Sequence, residues 1–120
     1  MSGTQWLVEA TGCDPARLRD RDGLAAMFDE IVHDLSLHVV GTPAWHVFPG
    51  PGGVTGVYLL AESHLTVHTF PEHGSACLDL FCCRPRKPWD FARGMHKHLA
   101  ASDVSVREVE RSFADVVVAT

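Results

Sequence analysis

Two stretches of the chain carry apolar residues at spacings of three and four, the period of a helix that covers a core with one face. The first stretch follows Asp20 and Asp22, either of which can cap a helix. The second follows Pro88, a residue suited to the first turn of a helix. The predicted buried stripes are Leu24, Met27, Phe28, Ile31 and Leu35 in the first helix, and Phe91, Ala92, Met95 and Leu99 in the second. We expect both helices to pack these apolar faces against a β-sheet.

Shorter apolar segments, separated by turns rich in Gly and Pro, predict the strands of that sheet. We expect strands at 6–10, 38–48 across Pro43, 53–60, 65–70, 76–83 and 104–106, with 116–118 as an edge strand or a tail. The order β-α-β-β-β-β-α-β with short loops predicts an α+β fold, a two-layer sandwich in which two helices cover one face of a mainly antiparallel sheet. No repeat or linker divides the chain, so residues 1–120 are expected to form a single domain.

Composition narrows the class of partner. The net charge is -5 and the basic residues are scattered apart from the run 84–87, so we expect no nucleic-acid partner. No apolar run approaches the roughly 20 residues that span a bilayer, and the chain begins without a basic and apolar export signal. We therefore expect a cytoplasmic protein without membrane contact. Its cysteines are expected to be reduced thiols: Cys13, Cys77, Cys82 and Cys83.

Histidines and cysteines are dense between residues 64 and 83, which raises the question of a metal site. Structural zinc sites use spaced pairs such as C-x2-C, whereas Cys82 and Cys83 are adjacent and would point to opposite faces of a strand. We expect no metal. A hydrolase triad of Ser63, His68 and Asp79 is also conceivable, but no G-x-S-x-G turn exposes the serine.

The segment from Glu62 to Cys83 carries the strongest signal, ESHLTVHTFPEHGSACLDLFCC. It resembles the small prokaryotic S-adenosylmethionine decarboxylases, whose pattern reads approximately E-S-H-[IL]-[ST]-[IV]-H-T-[WF]-P-E-x-G-x-A-x-x-D-x-F-x-C. Weaker similarity extends on both sides of the segment, so the resemblance covers almost the whole chain.

The resemblance implies a proenzyme that cuts itself between Glu62 and Ser63. The Ser63 hydroxyl would attack the Glu62 carbonyl, and the resulting ester would break down to leave a pyruvoyl group at position 63. The products would be a beta chain, residues 1–62, and an alpha chain, residues 63–120, that carries this self-made cofactor. The pyruvoyl ketone would form a Schiff base with an amino-acid-like substrate and accept the electrons released by decarboxylation.

The resemblance also implies roles for further residues. His68 matches the family's residue for proton handling during processing. Thr55 stands where the family usually has a serine, and it is expected to donate a hydrogen bond to the scissile carbonyl. Cys83 matches the donor that protonates the decarboxylated substrate, for which a thiol is suited. Cys82 is expected to point away and pack. The implied substrate-binding residues are Phe48 and Phe70, which would sandwich an adenine ring, and Glu72, which could bind the ribose hydroxyls or the amino group.

One geometric problem accompanies this hypothesis. Ser63 and His68 are five residues apart and would face opposite sides of an ideal strand, so a turn or bulge near Ser63 is expected if they meet. Family members are dimers of the cleaved protomer, and we expect a homodimer here.

Departures from the family pattern, including Trp6, which could fill space needed by adenine, keep other functions open. One alternative is a pyruvoyl enzyme that decarboxylates arginine or ornithine. Another is an uncleaved relative without enzymatic activity, acting as a binding or regulatory subunit.

Overall fold

The computed structural model describes residues 2–114. The strands are β1 (Ser2–Thr11), β2 (Ala44–Val47), β3 (Val54–Leu59), β4 (Ser63–Phe70), β5 (Ser75–Cys82) and β6 (Asp103–Ser112). The helices are α1 (Pro15–Leu18), α2 (Arg21–Asp34) and α3 (Phe91–Leu99), with a short 3-10 turn at Pro71–His73. The strands form one six-stranded sheet in the order β2-β3-β4-β5-β1-β6, with every pair antiparallel. The predicted α+β class is confirmed.

The two longer helices lie on one face of the sheet. Asp20 caps α2 by accepting a 3.1 Å hydrogen bond from the Gly23 backbone N–H, as its sequence position predicts. The predicted stripe of α2 is buried throughout, and it packs with the inward residues of the sheet in one hydrophobic core. Burial of this stripe, more than helix propensity, stabilises a helix of this length.

The helix predicted to follow Pro88, which is α3, begins later than predicted. Asp90 is its N-cap and accepts a 3.1 Å hydrogen bond from the Arg93 backbone N–H, so Pro88 lies before the cap and outside the first turn. The first-turn N–H groups of a helix have no partner within the helix, and an aspartate at the N-cap accepts a hydrogen bond from one of them. A proline side chain has no acceptor and cannot do so. Ala92 is exposed and Gly94 is buried in its place, because the helix face that meets the core includes Gly94 beside Trp89.

Alternation along the strands separates a helix-covered face from an open face. In β4, Leu65, Val67 and Thr69 are buried against the core. His68 and Phe70 alternate with them and lie on the open face. The same alternation puts Trp6 in the core, 2% exposed, with its ring 6.4 Å from that of Phe91. The suggestion that Trp6 fills substrate space is therefore wrong.

The predicted strand at 38–48 is interrupted. Val39 forms an isolated bridge with Leu60, the backbone turns at Gly41 with a φ of 71°, and regular pairing resumes only at Ala44 opposite Val57. A positive φ is a glycine conformation that breaks an extended strand, and Pro43 follows it. The other predicted strands are present with shifted ends. The segment 116–118 lies outside the described residues.

A buried threonine ties the sheet to the start of the helical layer. The Thr69 hydroxyl donates to the Leu18 carbonyl at 2.7 Å and accepts from the Val54 backbone N–H at 2.8 Å. Both hydrogen-bonding capacities are used, which is what a buried hydroxyl requires. This contact fixes the end of β4 next to β3.

Within residues 2–114, no helix combines the length and apolar character that crossing a membrane requires.

Candidate active site

The motif from Glu62 to Cys83 folds as the antiparallel hairpin β4–β5. The pairing runs without a bulge from Ser63 opposite Cys82 to Phe70 opposite Ser75. The connecting 3-10 turn ends at Gly74, whose φ of 62° suits a residue without a side chain. The hairpin therefore has two ends that carry different residues of the motif.

The first end, which we call the cleavage end, contains Glu62, Ser63 and Cys83. The Cys83 backbone N–H donates a 2.9 Å hydrogen bond to the Glu62 carbonyl oxygen, the carbonyl of the predicted scissile bond. The Ser63 carbonyl in turn accepts from the Leu60 N–H at 3.0 Å, so both neighbouring peptide groups are held. A donor on a carbonyl oxygen stabilises the negative charge that develops there when a nucleophile attacks the carbon.

The Glu62 side chain is buried, at 5% exposure for the residue, next to the same bond. Its carboxylate accepts hydrogen bonds from the His38 backbone N–H at 3.0 Å and from the His38 Nδ1 at 2.7 Å, and Arg86 approaches at 3.4 Å. Burial acts to raise the pKa of the Glu62 carboxyl, but the hydrogen bonds from His38 outweigh it and hold that pKa below its usual value. Glu62 is therefore a carboxylate anchored from two separate segments.

Sequence reasoning missed His38 and Arg86. The sequence places His38 only at the start of the strand predicted at 38–48 and Arg86 only in the basic run 84–87. The available signal was indirect: a glutamate in a motif flanked by buried strands needs cationic or N–H partners, but nothing in the sequence says which.

The two adjacent cysteines differ as expected. Cys82 is fully buried, and burial is the main reason that the pKa of its thiol rises to about 11. Such a thiol packs as a small apolar side chain. Cys83 lies just beyond the end of β5 and is partly exposed beside the Glu62 carbonyl.

The second end, which we call the aromatic end, gathers the remaining predicted site residues. The Thr55 hydroxyl and His68 Nδ1 are hydrogen-bonded at 3.0 Å across β3 and β4. A cavity of about 310 Å³ adjoins this pair, and its lining includes Phe48, Thr55, His68, Phe70 and Glu72. Phe48 and Phe70 are 48% and 39% exposed, so neither is a core aromatic. Their rings are available to a ligand.

The structure does not bring His68 to Ser63 within one chain, and the Thr55 hydroxyl bonds His68, whereas the described donor to the Glu62 carbonyl is the Cys83 N–H. Five residues of strand at about 3.3 Å each separate their Cα atoms by about 16 Å, and the regular pairing of β4 with β5 contains no bulge to shorten that distance. A turn does precede Ser63, since the backbone bends at Ala61 and Glu62 and the Ser63 φ is 157°, but it does not shorten the distance to His68. The cleavage end and the aromatic end therefore lie at opposite ends of β4 in the chain.

Residues 2–114 contain no group of three or more His, Cys, Asp or Glu side chains that could hold a metal ion. A larger cavity, about 1040 Å³, lies on the helical side between α2, α3 and the loop after β5. Its lining includes His38 and Arg86, the partners of Glu62, but no residue of the motif 62–83. Four motif residues line the smaller cavity, namely His68, Thr69, Phe70 and Glu72.

Comparisons with known proteins agree with this geometry. The family model described as S-adenosylmethionine decarboxylase matches residues 4–112. An S-adenosylmethionine decarboxylase proenzyme of Clostridium tetani is 38% identical, with 98% of this chain and 92% of the relative covered. One from Pyrococcus horikoshii is 31% identical, with 96% and 87% covered. The crystal structure of the adenosylmethionine decarboxylase from Aquifex aeolicus superimposes with a TM-score of 0.77 at 27% identity, covering 95% of this chain and 93% of that one. Because the match extends over nearly the whole fold and includes both ends of the β4–β5 hairpin, the chain belongs to the S-adenosylmethionine decarboxylase family.

Proposed function

We propose that this chain is a proenzyme that cleaves itself between Glu62 and Ser63 and then decarboxylates S-adenosylmethionine with the pyruvoyl group formed from Ser63. The observation that carries the proposal is the 2.9 Å hydrogen bond from the Cys83 N–H to the Glu62 carbonyl oxygen. It fits a carbonyl prepared for attack by the neighbouring serine. The names of the relatives, S-adenosylmethionine decarboxylase proenzymes, support both the processing and the substrate.

The cleavage is an internal acyl transfer followed by elimination. The Ser63 Oγ attacks the Glu62 carbonyl carbon, the peptide C–N bond breaks, and the freed amine takes up the proton, which leaves an ester. Loss of the Ser63 Cα proton then expels the Glu62 carboxylate from Cβ. Water replaces the nitrogen of the remaining enamine, ammonia leaves, and a pyruvoyl group stays at position 63. The products are residues 1–62 and 63–120.

A pyruvoyl carbonyl supplies an electron sink for the decarboxylation of an α-amino acid. The chain's own residues must then position the substrate and return a proton. Cys83 follows directly on Cys82, the partner of Ser63 in the β-ladder, and is partly exposed, so its thiol is close to the reacting position. We assign to Cys83 the protonation of the decarboxylated carbon.

The aromatic end supports the choice of substrate. Phe48 and Phe70 are exposed around one small cavity, and Glu72 lies at its rim. Exposed aromatic faces suit a purine, and a carboxylate suits ribose hydroxyls or an ammonium group. The relatives named above give no support to the arginine or ornithine alternative, nor to an uncleaved regulatory subunit.

The distance between the cleavage end and the aromatic end supports a homodimer. A two-fold axis through the open face would bring the cleavage end of one copy to the aromatic end of the other, because an antiparallel arrangement reverses the strand direction. The open face also carries exposed apolar side chains that a second copy would cover, namely Val57, Leu59 and Phe70. In this arrangement His68 and Thr55 of a second copy act on Ser63.

This arrangement can be tested by complementation. We expect Ser63→Ala and His68→Ala variants to remain uncleaved when each is expressed alone. When the two are coexpressed, His68 of the Ser63→Ala chain can serve Ser63 of the His68→Ala chain, so the latter should be cleaved. A measured dimer mass with no cleavage in the mixture would overturn the shared site.

Intact-mass analysis tests the function itself. The purified protein should give two fragments, 1–62 and 63–120, with the second lighter by one ammonia than simple hydrolysis predicts. It should release carbon dioxide from S-adenosylmethionine, giving the aminopropyl donor for spermidine synthesis, and Ser63→Ala should abolish both signals. An active enzyme found as one uncut chain would contradict the proposal.

The location of the enzyme is also proposed. All four cysteines are free thiols in the described chain, which is typical of the reducing cytoplasm. Mass analysis after alkylation of a cell extract would detect disulfides if the protein resided in an oxidising compartment.

A further inference from the structure

Glu62 is an unusual residue in this fold because its charge is buried. Among the described residues, Glu62 and Thr69 are the polar or charged side chains that the core buries. An unpaired buried carboxylate is strongly unfavourable, so its partners are part of the structure that surrounds the scissile bond.

Residues 38–40, which we call the strap, run beside residues 59–62 and hold that segment. The Val40 N–H donates to the Leu59 carbonyl at 2.8 Å, and the Ala61 N–H donates to the His38 carbonyl at 2.8 Å. His38 then closes the strap on Glu62 with its own N–H at 3.0 Å and with Nδ1 at 2.7 Å. The strap thus fixes the chain up to the residue that precedes the cut.

Glu62 is held on both of its functional groups. Its side chain is fixed by His38 and, at a longer 3.4 Å, by Arg86. Its carbonyl oxygen is fixed by the Cys83 N–H at 2.9 Å. Two anchors on one residue define the orientation of the peptide plane, and small losses of orientation are costly when a nucleophile must approach a carbonyl from one direction.

We propose that His38 is a positioning residue for self-cleavage: its Nδ1 holds the Glu62 carboxylate so that the Glu62 carbonyl remains on the Cys83 N–H. The inference rests on the proposed self-processing of the chain. His38 touches neither Ser63 nor the scissile carbonyl in any described contact and acts only through Glu62. The His38 ring is largely exposed, with 73% of the side chain accessible. Its replacement therefore removes a directed hydrogen bond and little packing.

The test compares two substitutions at position 38. His38→Ala removes the ring donor, and we expect the rate of cleavage of freshly synthesised chain to fall roughly tenfold, the effect of losing one hydrogen bond to a charged group. In His38→Asn, the amide nitrogen is attached to Cγ, as Nδ1 is in histidine, and can donate to the same carboxylate. We expect His38→Asn to cleave at close to the wild-type rate.

His33→Ala is the matched control. His33 is another exposed histidine, with 90% of its side chain accessible at the end of α2, and its described side-chain partner is Asp34, not Glu62. It should cleave as the wild type does. Thermal unfolding of uncleaved Ser63→Ala chains, with and without His38→Ala, measures any loss of stability separately.

The outcomes separate the hypotheses. Slow cleavage in His38→Ala that is restored in His38→Asn supports the proposal. Wild-type cleavage in His38→Ala, or cleavage equally slow in both variants, would overturn it. If the wild-type chain itself remains uncut, self-processing has failed, and that result is distinct from either outcome at position 38.

Discussion

The Cys83 backbone N–H and the Glu62 carbonyl oxygen are hydrogen-bonded at 2.9 Å, across the site where the chain is proposed to cut itself. One residue thereby offers two groups to the same place. Its N–H bonds the Glu62 carbonyl, and its thiol, on a partly exposed residue, is proposed to act in the reaction that follows. Processing and turnover should therefore respond differently to substitution of Cys83.

Cys83→Ala is expected to cleave normally but to turn over slowly or to inactivate itself. The substitution keeps the N–H that bonds the Glu62 carbonyl and removes the thiol that is proposed to return the proton. Gel analysis of fragments, followed by an assay of carbon dioxide release per cleaved chain, measures the two steps separately.

Cys82→Ala is the matched control for this prediction. Cys82 is buried, with a thiol pKa raised to about 11 chiefly by its burial, and it has no role beyond packing. Its loss should cost some stability and leave turnover per cleaved chain unchanged. The opposite pattern, with the turnover defect in Cys82→Ala, would reverse the assignment of the two thiols.

Phe70→Ala should raise the KM for S-adenosylmethionine by roughly tenfold or more, at about 1.4 kcal/mol per tenfold. The ring is exposed on the cavity of the aromatic end, and stacking of a base on one aromatic contributes about 1–3 kcal/mol. Phe113→Ala, which removes an exposed ring that is not part of this cavity, is the control. Efficient turnover of arginine or ornithine without S-adenosylmethionine activity would refute adenosyl recognition.

Gly94→Ala should destabilise the fold by about 1–3 kcal/mol, the usual cost of overpacking a core. A Cβ at position 94 would lie 1.9 Å from the Trp89 ring, and the indole is itself held by a hydrogen bond from its Nε1 to Asp34. Helix propensity alone would predict the reverse, because alanine is favoured over glycine by about 1 kcal/mol. Chemical denaturation should show the loss. As a control, Ala92→Gly on the exposed side of α3 should show only the propensity cost.

Tyr58 provides a pH prediction because it is the chain's single tyrosine. Burial, followed by the charge and hydrogen bond of Asp29, raises the pKa of its phenol from 10.0 to about 12. The neutral phenol is favoured in the folded state. Its contribution to stability is therefore complete below pH 10 and is lost as the pH rises toward 12. Phenolate absorbance should appear about two pH units later in the folded protein than in denaturant, and coincident titrations would contradict the burial of this side chain.

The spacing of apolar residues was enough to predict the two layers of the fold. The three- and four-residue spacing of Leu24, Met27, Phe28 and Ile31 is a local property of a helix, and each of these residues is buried. The two-residue alternation in β4 likewise assigns His68 and Phe70 to the open face. Such periodicities need no knowledge of the rest of the chain, which is why they predicted the class correctly.

The exact ends of helices and strands were harder to predict from the sequence, because neighbouring residues offer alternative start and end points. Pro88 and Asp90 both suit the start of α3, and the capping hydrogen bond from Arg93 decided for Asp90. The strand predicted across Pro43 failed because a positive φ at Gly41 ends the extended segment. In both cases the end of the element depends on backbone geometry that the tertiary structure sets, which residue preferences alone do not predict.

The arrangement of the motif residues in space depends on long-range packing and could not be predicted from the motif. Ser63 and His68 lie in one motif, yet an unbroken strand separates them by about 16 Å, which is why we propose that a second copy of the chain brings them together. The partners of Glu62 were not predicted for the same reason, since His38 and Arg86 are each 24 residues away from it in sequence. A pattern along the chain records the types of residue that a reaction needs. Distances between residues remote in sequence are set by packing of the whole fold, which no local pattern contains.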